Sequence, residues 1–284
     1  MIKFTASHLR QQEKVSAYFQ SMSSYWTDIY DSGSVQGKVY RERQAAALAW
    51  IESLGLMPGS RVLEIGCGAG FLAVALAQRG LRVQAIDPAE AMVELARRHA
   101  AGSGTAELLS VDLGDVCALA FEDGCFDLVV AIGVMAYLKQ PELAIQEMAR
   151  VIRPGGHVIL TAGNRAGLVN LLEPWYNPVL RPFTSLVKGA LVRFGLRPWS
   201  PNKALHSRRF IDEALASAGL VKTSGKTLGF GPFTFLHHRL LPEALGLPLH
   251  QWLQRLADRG VPVLRSTGVS YLVRARKPTS SCPP

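Results

Sequence analysis

From Arg61 to Thr161 the sequence alternates short apolar runs with helix-patterned stretches, and that alternation constrains the fold more than any other feature. RVLEI (61–65), RVQAI (82–86), AELLSV (106–111), DLVVAI (127–132) and HVILT (157–161) read as buried strands. Between them, FLAVALAQR (71–79) reads as a helix stopped by Gly80. A second helix follows Pro88 and ends in Arg97, Arg98 and His99, which suit its negative end. A third runs from Pro141 to about Ile152, and Arg153-Pro154-Gly155-Gly156 then reads as a type II turn. Strands separated by helices cannot pair as hairpins, so they predict an open parallel sheet with helices on both faces. Such a sheet binds ligands outside the carboxyl ends of its strands.

The flanks differ from this centre. Residues 7–55 read as two helices broken at Asp31-Ser32-Gly33-Ser34. After the fifth strand comes a long proline-punctuated connection, 162–207, then a helix at 208–218. Two further strands, 221–230 and 268–276, are separated by an aromatic segment and a helix at 246–258. The expectation is a doubly wound α/β fold with a mostly parallel seven-stranded sheet. It has an N-terminal helical cap (1–55), a main domain (56–284) and a lid-like helical insert at about 162–207.

Composition narrows the class. With 48% hydrophobic and 19% charged residues over 284 positions, the chain can bury a sizeable core. A net charge of +9 suits an anionic surface or substrate, or is simply a basic surface. Cys67, Cys117, Cys125 and Cys282 show no metal-ligand spacing, so no metal site is expected and free thiols in a reducing compartment are the simplest account. No run of 18 uncharged apolar residues occurs, and the first residues lack a signal-peptide core. The expected location is cytoplasmic, with peripheral membrane contact left open.

The turn between the first strand and first helix reads Glu64-Ile65-Gly66-Cys67-Gly68-Ala69-Gly70. Glycines belong where backbone turns sharply and approaches a ligand. Gly68, Gly70 and Ala73 satisfy a dinucleotide fingerprint, and Asp87 lies 19 residues after Gly68, so an NAD-dependent oxidoreductase stays an alternative. Two features favour another ligand. Gly66, directly off the strand, shifts the register, and Glu64 places a carboxylate where a pyrophosphate needs N–H donors alone. A carboxylate there suits a cation.

The E-x-G-x-G-x-G turn, the acidic residue ending the second strand, the acidic residue after the third and R-P-G-G before the fifth together resemble the class I S-adenosylmethionine-dependent methyltransferases. The likeness runs from about residue 45 to 162. The YF…YW..IY pattern at the N-terminus is similar to small-molecule enzymes of quinone and tetrapyrrole pathways. The resemblance implies that Glu64, Gly66, Cys67, Gly68 and Gly70 line the methionine part of S-adenosylmethionine. It implies that Asp87 takes the ribose hydroxyls, that Asp112 and Leu113 lie beside adenine, and that Ile132 and Gly133 approach the sulfonium. Asp87 also reads as a helix cap and Asp112 as a turn former. Tyr18, Tyr25, Trp26 and Tyr30 lie on helices that fold over the cofactor in similar enzymes, where aromatic faces attract a sulfonium; packing of those helices is the competing account.

Methyl transfer asks mainly for alignment of nucleophile, methyl and sulfur, which contributes about 7–11 kcal/mol in favourable cases. A base matters only if the acceptor must lose a proton. Gly133-Val134-Met135-Ala136-Tyr137 lacks the histidine that similar enzymes often carry after the fourth strand. Candidates are then His206, before a late helix, and Tyr137 as an orienting group. His157, at the opposite end of the sheet, reads as structural, and His237 and His238 lie in an aromatic stretch. The acceptor expected is small or lipid-like and methylated at oxygen, with carbon or nitrogen as alternatives. Nucleic acid is not expected, because the basic residues are scattered and no proline-proline-aromatic tetrad follows the fourth strand. A non-enzymatic binding module would have little need of Glu64, Asp87 and Asp112 together. The insert carries Arg165, Arg181, Lys188, Arg193, Arg197 and Lys203 against one acid, Glu173. Its residues Leu186, Val187, Ala190, Leu191 and Phe194 fall on one helical face, which suits a lid over an apolar acceptor or an anionic membrane.

Overall fold

A computed structural model describes residues 6–177, 179–194, 203–236 and 238–279. Three helices open the chain: α1 (Ala6–Ser21), α2 (Ser23–Asp31) and α3 (Val35–Glu52). The expected break at 31–34 is present, and the Ser34 side chain caps α3 by accepting from Gly37 N–H at 3.1 Å. A second break, at Met22, corrects the expectation of two helices: Met22 leaves helical geometry at φ −112°, ψ 16°, and no glycine or proline marks the spot.

The alternating centre follows as β1 (Arg61–Ile65), α4 (Phe71–Ala77), β2 (Arg82–Asp87), α5 (Glu90–Gly102), β3 (Leu109–Leu113), β4 (Phe126–Ala131), α6 (Pro141–Val151) and β5 (Ile152–Asn164). Then come α7 (Leu168–Leu172), α8 (Arg181–Arg193), β6 (Leu205–His206), α9 (Arg208–Ser217), β7 (Val221–Leu228), β8 (Thr234–Phe235), β9 (His238–Arg239), α10 (Glu243–Asp258) and β10 (Ser270–Arg276). The main sheet runs β3-β2-β1-β4-β5-β10-β7. Its first five strands are parallel, and β10 is antiparallel to both β5 and β7. This is the expected seven-stranded, mostly parallel sheet, with one addition. β6 pairs in parallel with the end of β5, Gly163 opposite Leu205 and Asn164 opposite His206.

The inner strands β1 and β4 are covered on both faces, which is why their runs read as continuously apolar, whereas Ser110, Asp112 and Leu113 of the edge strand β3 are exposed. Leu63, Val129 and Leu160 pack with Ile145 and Met148 of α6 and Ile211 of α9 on one side. Val62, Val83, Leu128 and Val130 pack with Leu76 of α4, Ala96 of α5 and Ile51 of α3 on the other. The N-terminal cap is thus tied into the core by α3. His250 of α10 fastens it further: its Nδ1 accepts from Phe230 N–H, and its Nε2 lies 2.8 Å from Glu42 of α3.

Three local expectations shift. The third strand begins at Leu109, three residues late, because Leu108 and Leu109 donate back to Thr105 in a turn. Arg153-Pro154-Gly155-Gly156 is the start of β5 and not a separate turn. Gly155 (φ +81°) donates to Lys277 O at 2.8 Å, so a segment more than a hundred residues away pulls it into the sheet. A register shift on β4 between Phe126 and Leu128 absorbs the irregularity. The late helix starts at Glu243, where the Glu243 carboxylate accepts from Val35 N–H and pairs with Arg239. Among the described residues no helix is long and apolar enough to cross a membrane.

Candidate functional site

Strand order reverses between β1 and β4, and a cavity of about 520 Å³ opens at the carboxyl ends of these strands. Its floor is the glycine turn. Gly66 has φ +66°, and a side chain there would place its Cβ 2.5 Å from Val134 Cγ2. Gly70 has φ +81°, and a Cβ there would lie 2.8 Å from Ala96 Cβ, so its absence lets α4 pack on α5. Only glycine meets both demands.

Two carboxylates stand beside this floor. Glu64, next to last in β1, is 4% exposed, and its Oε2 has no hydrogen-bond partner. Burial, reinforced by the neighbouring Asp87 carboxylate, pushes its pKa up to about 8. Asp87 ends β2. Its Oδ2 accepts from Gly68 N–H at 3.0 Å and its Oδ1 from Ala89 N–H at 2.9 Å. Asp87 therefore holds the glycine turn and turns the chain into α5, while its carboxylate lines the cavity. Burial lifts its pKa to about 6, opposed by those two N–H donors.

The cavity gathers Glu64, Gly66, Cys67, Gly68, Asp87, Ile132, Gly133, Tyr137, Trp26 and Tyr30 of the residues singled out in the sequence. It does not gather the rest. Gly70 supports the turn from beneath. Tyr18 lies on α1 outside the lining, where its neighbour Phe19 enters and meets the Tyr137 ring edge-on at 5.0 Å. Asp112 faces the surface, accepting from Gln84, Ser110 and Arg97. Leu113 is 58% exposed, and Gly114 lines the cavity in its place. His206 stacks on Phe210 at 5.1 Å outside the lining. His237 falls outside the described residues, as do Arg197 and Cys282. No cluster of metal ligands occurs among the described residues.

The far end of the cavity is built from residues the sequence did not flag as a site. Arg43 on α3 reaches across to Gly133, where an added Cβ would lie 3.2 Å from its guanidinium. Its plane covers the Tyr40 ring, 4.9 Å from the centroid, and its positive charge faces the Tyr30 hydroxyl. Gln36 Nε2 donates to Tyr40 Oη at 3.0 Å. Lys203, from the end of the insert, lines the opposite wall with its side chain exposed, and Tyr40 and Tyr137 are its strongest electrostatic neighbours. Positions 36, 40 and 43 share one face of a helix. That spacing was the available signal, and nothing local could tell that this face looks into a cavity.

Residues 63–160 match a family model described as a methyltransferase domain. A ubiquinone biosynthesis O-methyltransferase of Paracidovorax citrulli is 32% identical over 157 residues, 55% of this chain and 64% of that protein. The chain spans about three fifths of the length of the first such curated relatives it matches. Magnesium protoporphyrin IX methyltransferase from Synechocystis PCC 6803, solved with S-adenosylhomocysteine, shares the fold at TM-score 0.64 and 19% identity, covering 94% of this chain and 99% of that one. The [4+2]-cyclase SpnF shares it at TM-score 0.55 and 18% identity, covering 84% and 81%. One fold thus carries different named chemistries, and likeness of fold alone does not assign one. Residues 63–160 thus match a methyltransferase domain, and the glycine turn and the sheet order agree with that match.

Proposed function

We propose that this protein transfers a methyl group from S-adenosylmethionine to an oxygen of a small or lipid-like acceptor. The observation that carries the reading is Glu64: a buried carboxylate with a partnerless oxygen, facing the cavity at the end of β1. Left alone it is costly. A ligand ammonium would satisfy it, whereas a dinucleotide pyrophosphate would be repelled. When bound, the cofactor supplies an electrophilic methyl on a cationic sulfur. Glu64 then holds its ammonium, the N–H groups of the glycine turn its carboxylate, and Asp87 the ribose hydroxyls. Gly133 leaves room beside the reacting centre, and Tyr30 presents an aromatic ring to it.

The O-methyltransferase relatives support oxygen as the methylated atom. The test is thermal unfolding with ligands. S-adenosylhomocysteine at 100 times its dissociation constant should stabilise the protein by roughly 2.7 kcal/mol, and NAD not at all. Stabilisation by NAD alone would replace this reading with the oxidoreductase one.

The insert supports a second element, a lid that rests on an anionic membrane. Phe183 and Leu186 of α8 are 70% and 74% exposed, and Val179 and Phe194 flank them in the open. Such an apolar stripe on a basic segment suits an interfacial helix. We also propose that the chain divides at residue 55 into a helical cap and a main domain.

A further inference from the structure

Tyr40 sits where the two ends of the cavity meet. Its neighbour Arg43 touches the Gly133 position at the cofactor end, and its hydroxyl faces Lys203 at the other. The Tyr40 oxygen accepts from Gln36 Nε2 at 3.0 Å and faces the Lys203 ammonium, its strongest positive neighbour. A neutral phenol has little use for a donor and an ammonium together, but a phenolate does, and it keeps a lone pair for a third group. Arg43 adds a second positive charge over the ring.

We propose that Tyr40, held between Gln36 and Lys203, is the general base of this site. The inference rests on the methyl-transfer reading above and deepens it. Tyr40 is the phenol in this cavity whose pKa falls below the ordinary tyrosine value despite burial, because Lys203 and Arg43 favour its ionised form. Tyr18, Tyr25, Tyr30 and Tyr137 also face this group, and each has its pKa raised by desolvation. Tyr176 also lines the cavity and faces Lys203, and among these phenols the cations favour the ionised form at Tyr40.

The step balances. The acceptor O–H gives its proton to the Tyr40 phenolate as the O–CH₃ bond forms, and the S–CH₃ bond breaks with its electron pair remaining on sulfur. Tyr40 becomes a neutral phenol and Lys203 stays an ammonium throughout. The proton passes to solvent when product leaves. A phenolate base matches an acceptor hydroxyl about as acidic as a phenol. Lys203 and Gln36 are positioning residues, and His206 is not required.

The experiment has a spectroscopic arm and a kinetic arm, both on the complete chain. Near-ultraviolet titration of the S-adenosylhomocysteine complex should show one tyrosinate forming below the rest. It should vanish in Tyr40→Phe and move up by about 1 pH unit or more in Lys203→Met. With labelled S-adenosylmethionine and catechol as the probe acceptor, Tyr40→Phe should lose about 100-fold or more in kcat. Its S-adenosylhomocysteine affinity should stay within twofold or so of wild type, and Lys203→Met should displace the acidic limb of the rate profile upward. An early tyrosinate that persists in Tyr40→Phe overturns the proposal, as does catechol methylation at the wild-type rate by that variant. Wild type that binds cofactor but never methylates catechol overturns the phenol-like acceptor. Failure to bind S-adenosylhomocysteine at all counts against the proposed function instead.

Discussion

The two ends of the cavity are built to opposite electrical rules. At the β1–β2 end, two carboxylates lie buried within reach of each other, and both are held above the ordinary carboxylate range. At the α3–insert end, two cations, Arg43 and Lys203, surround a phenol. The first end is destabilised until a cation arrives. The second already holds its charge and offers a proton acceptor. One end therefore gains most of its order from ligand, whereas the other is organised by the fold, and substitutions at the two should separate accordingly.

The largest separation is expected at Glu64. Glu64→Gln should weaken S-adenosylhomocysteine binding by about 3 kcal/mol, the scale of a lost buried hydrogen bond to a charged group. The same change should stabilise the ligand-free protein, because it removes a buried carboxyl that the fold must either keep protonated or leave charged without a partner. The pH dependence carries the same sign. Both carboxylates titrate higher folded than unfolded, so the folded state binds extra protons. Their contribution to stability is complete below about pH 4 and is lost as pH rises through about 6 and then about 8. Urea midpoints measured across that range should decline in wild type and flatten at the upper end in Glu64→Gln. A variant that weakens both ligand binding and the apo fold would erase the contrast between the two ends.

A smaller effect is expected at Asp87, which already serves two backbone N–H groups. Asp87→Ala should cost about 2 kcal/mol of cofactor affinity by calorimetry. Unchanged affinity would reduce Asp87 to a support of the glycine turn. The smallest effect belongs to the outside of the insert. At low ionic strength the protein should co-sediment with anionic vesicles and be released as salt screens the attraction. Replacing Phe183 and Leu186 with serine should reduce vesicle binding while leaving affinity for S-adenosylhomocysteine alone. Wild type that ignores such vesicles removes the membrane from the proposal without touching the lid.

The first end was legible in the sequence and the second was not, for a physical reason. Glu64, the three glycines and Asp87 mark strand ends and a turn whose geometry is local, so residue type and spacing suffice. Asp112 and Leu113 were drawn in by resemblance. The structure turns Asp112 outward because Gln84, Ser110 and Arg97 supply partners at the surface. Tyr40 and Lys203 lie more than 150 residues apart in the chain, and nothing local to either marks the other. Lys203 stood in the sequence as one basic residue among six in the insert.

By itself the sequence determined the alternation of strand and helix, the parallel core and the glycine turn. Each follows from apolar periodicity and from backbone angles that only glycine tolerates. The tertiary structure decided what lies opposite that turn. It drew Arg153–Gly156 into β5 through Lys277, closed the insert with β6 against β5, and laid α3 so that Gln36, Tyr40 and Arg43 look inward. Those choices depend on contacts between segments distant in the chain, which are set by how the whole chain buries its apolar surface.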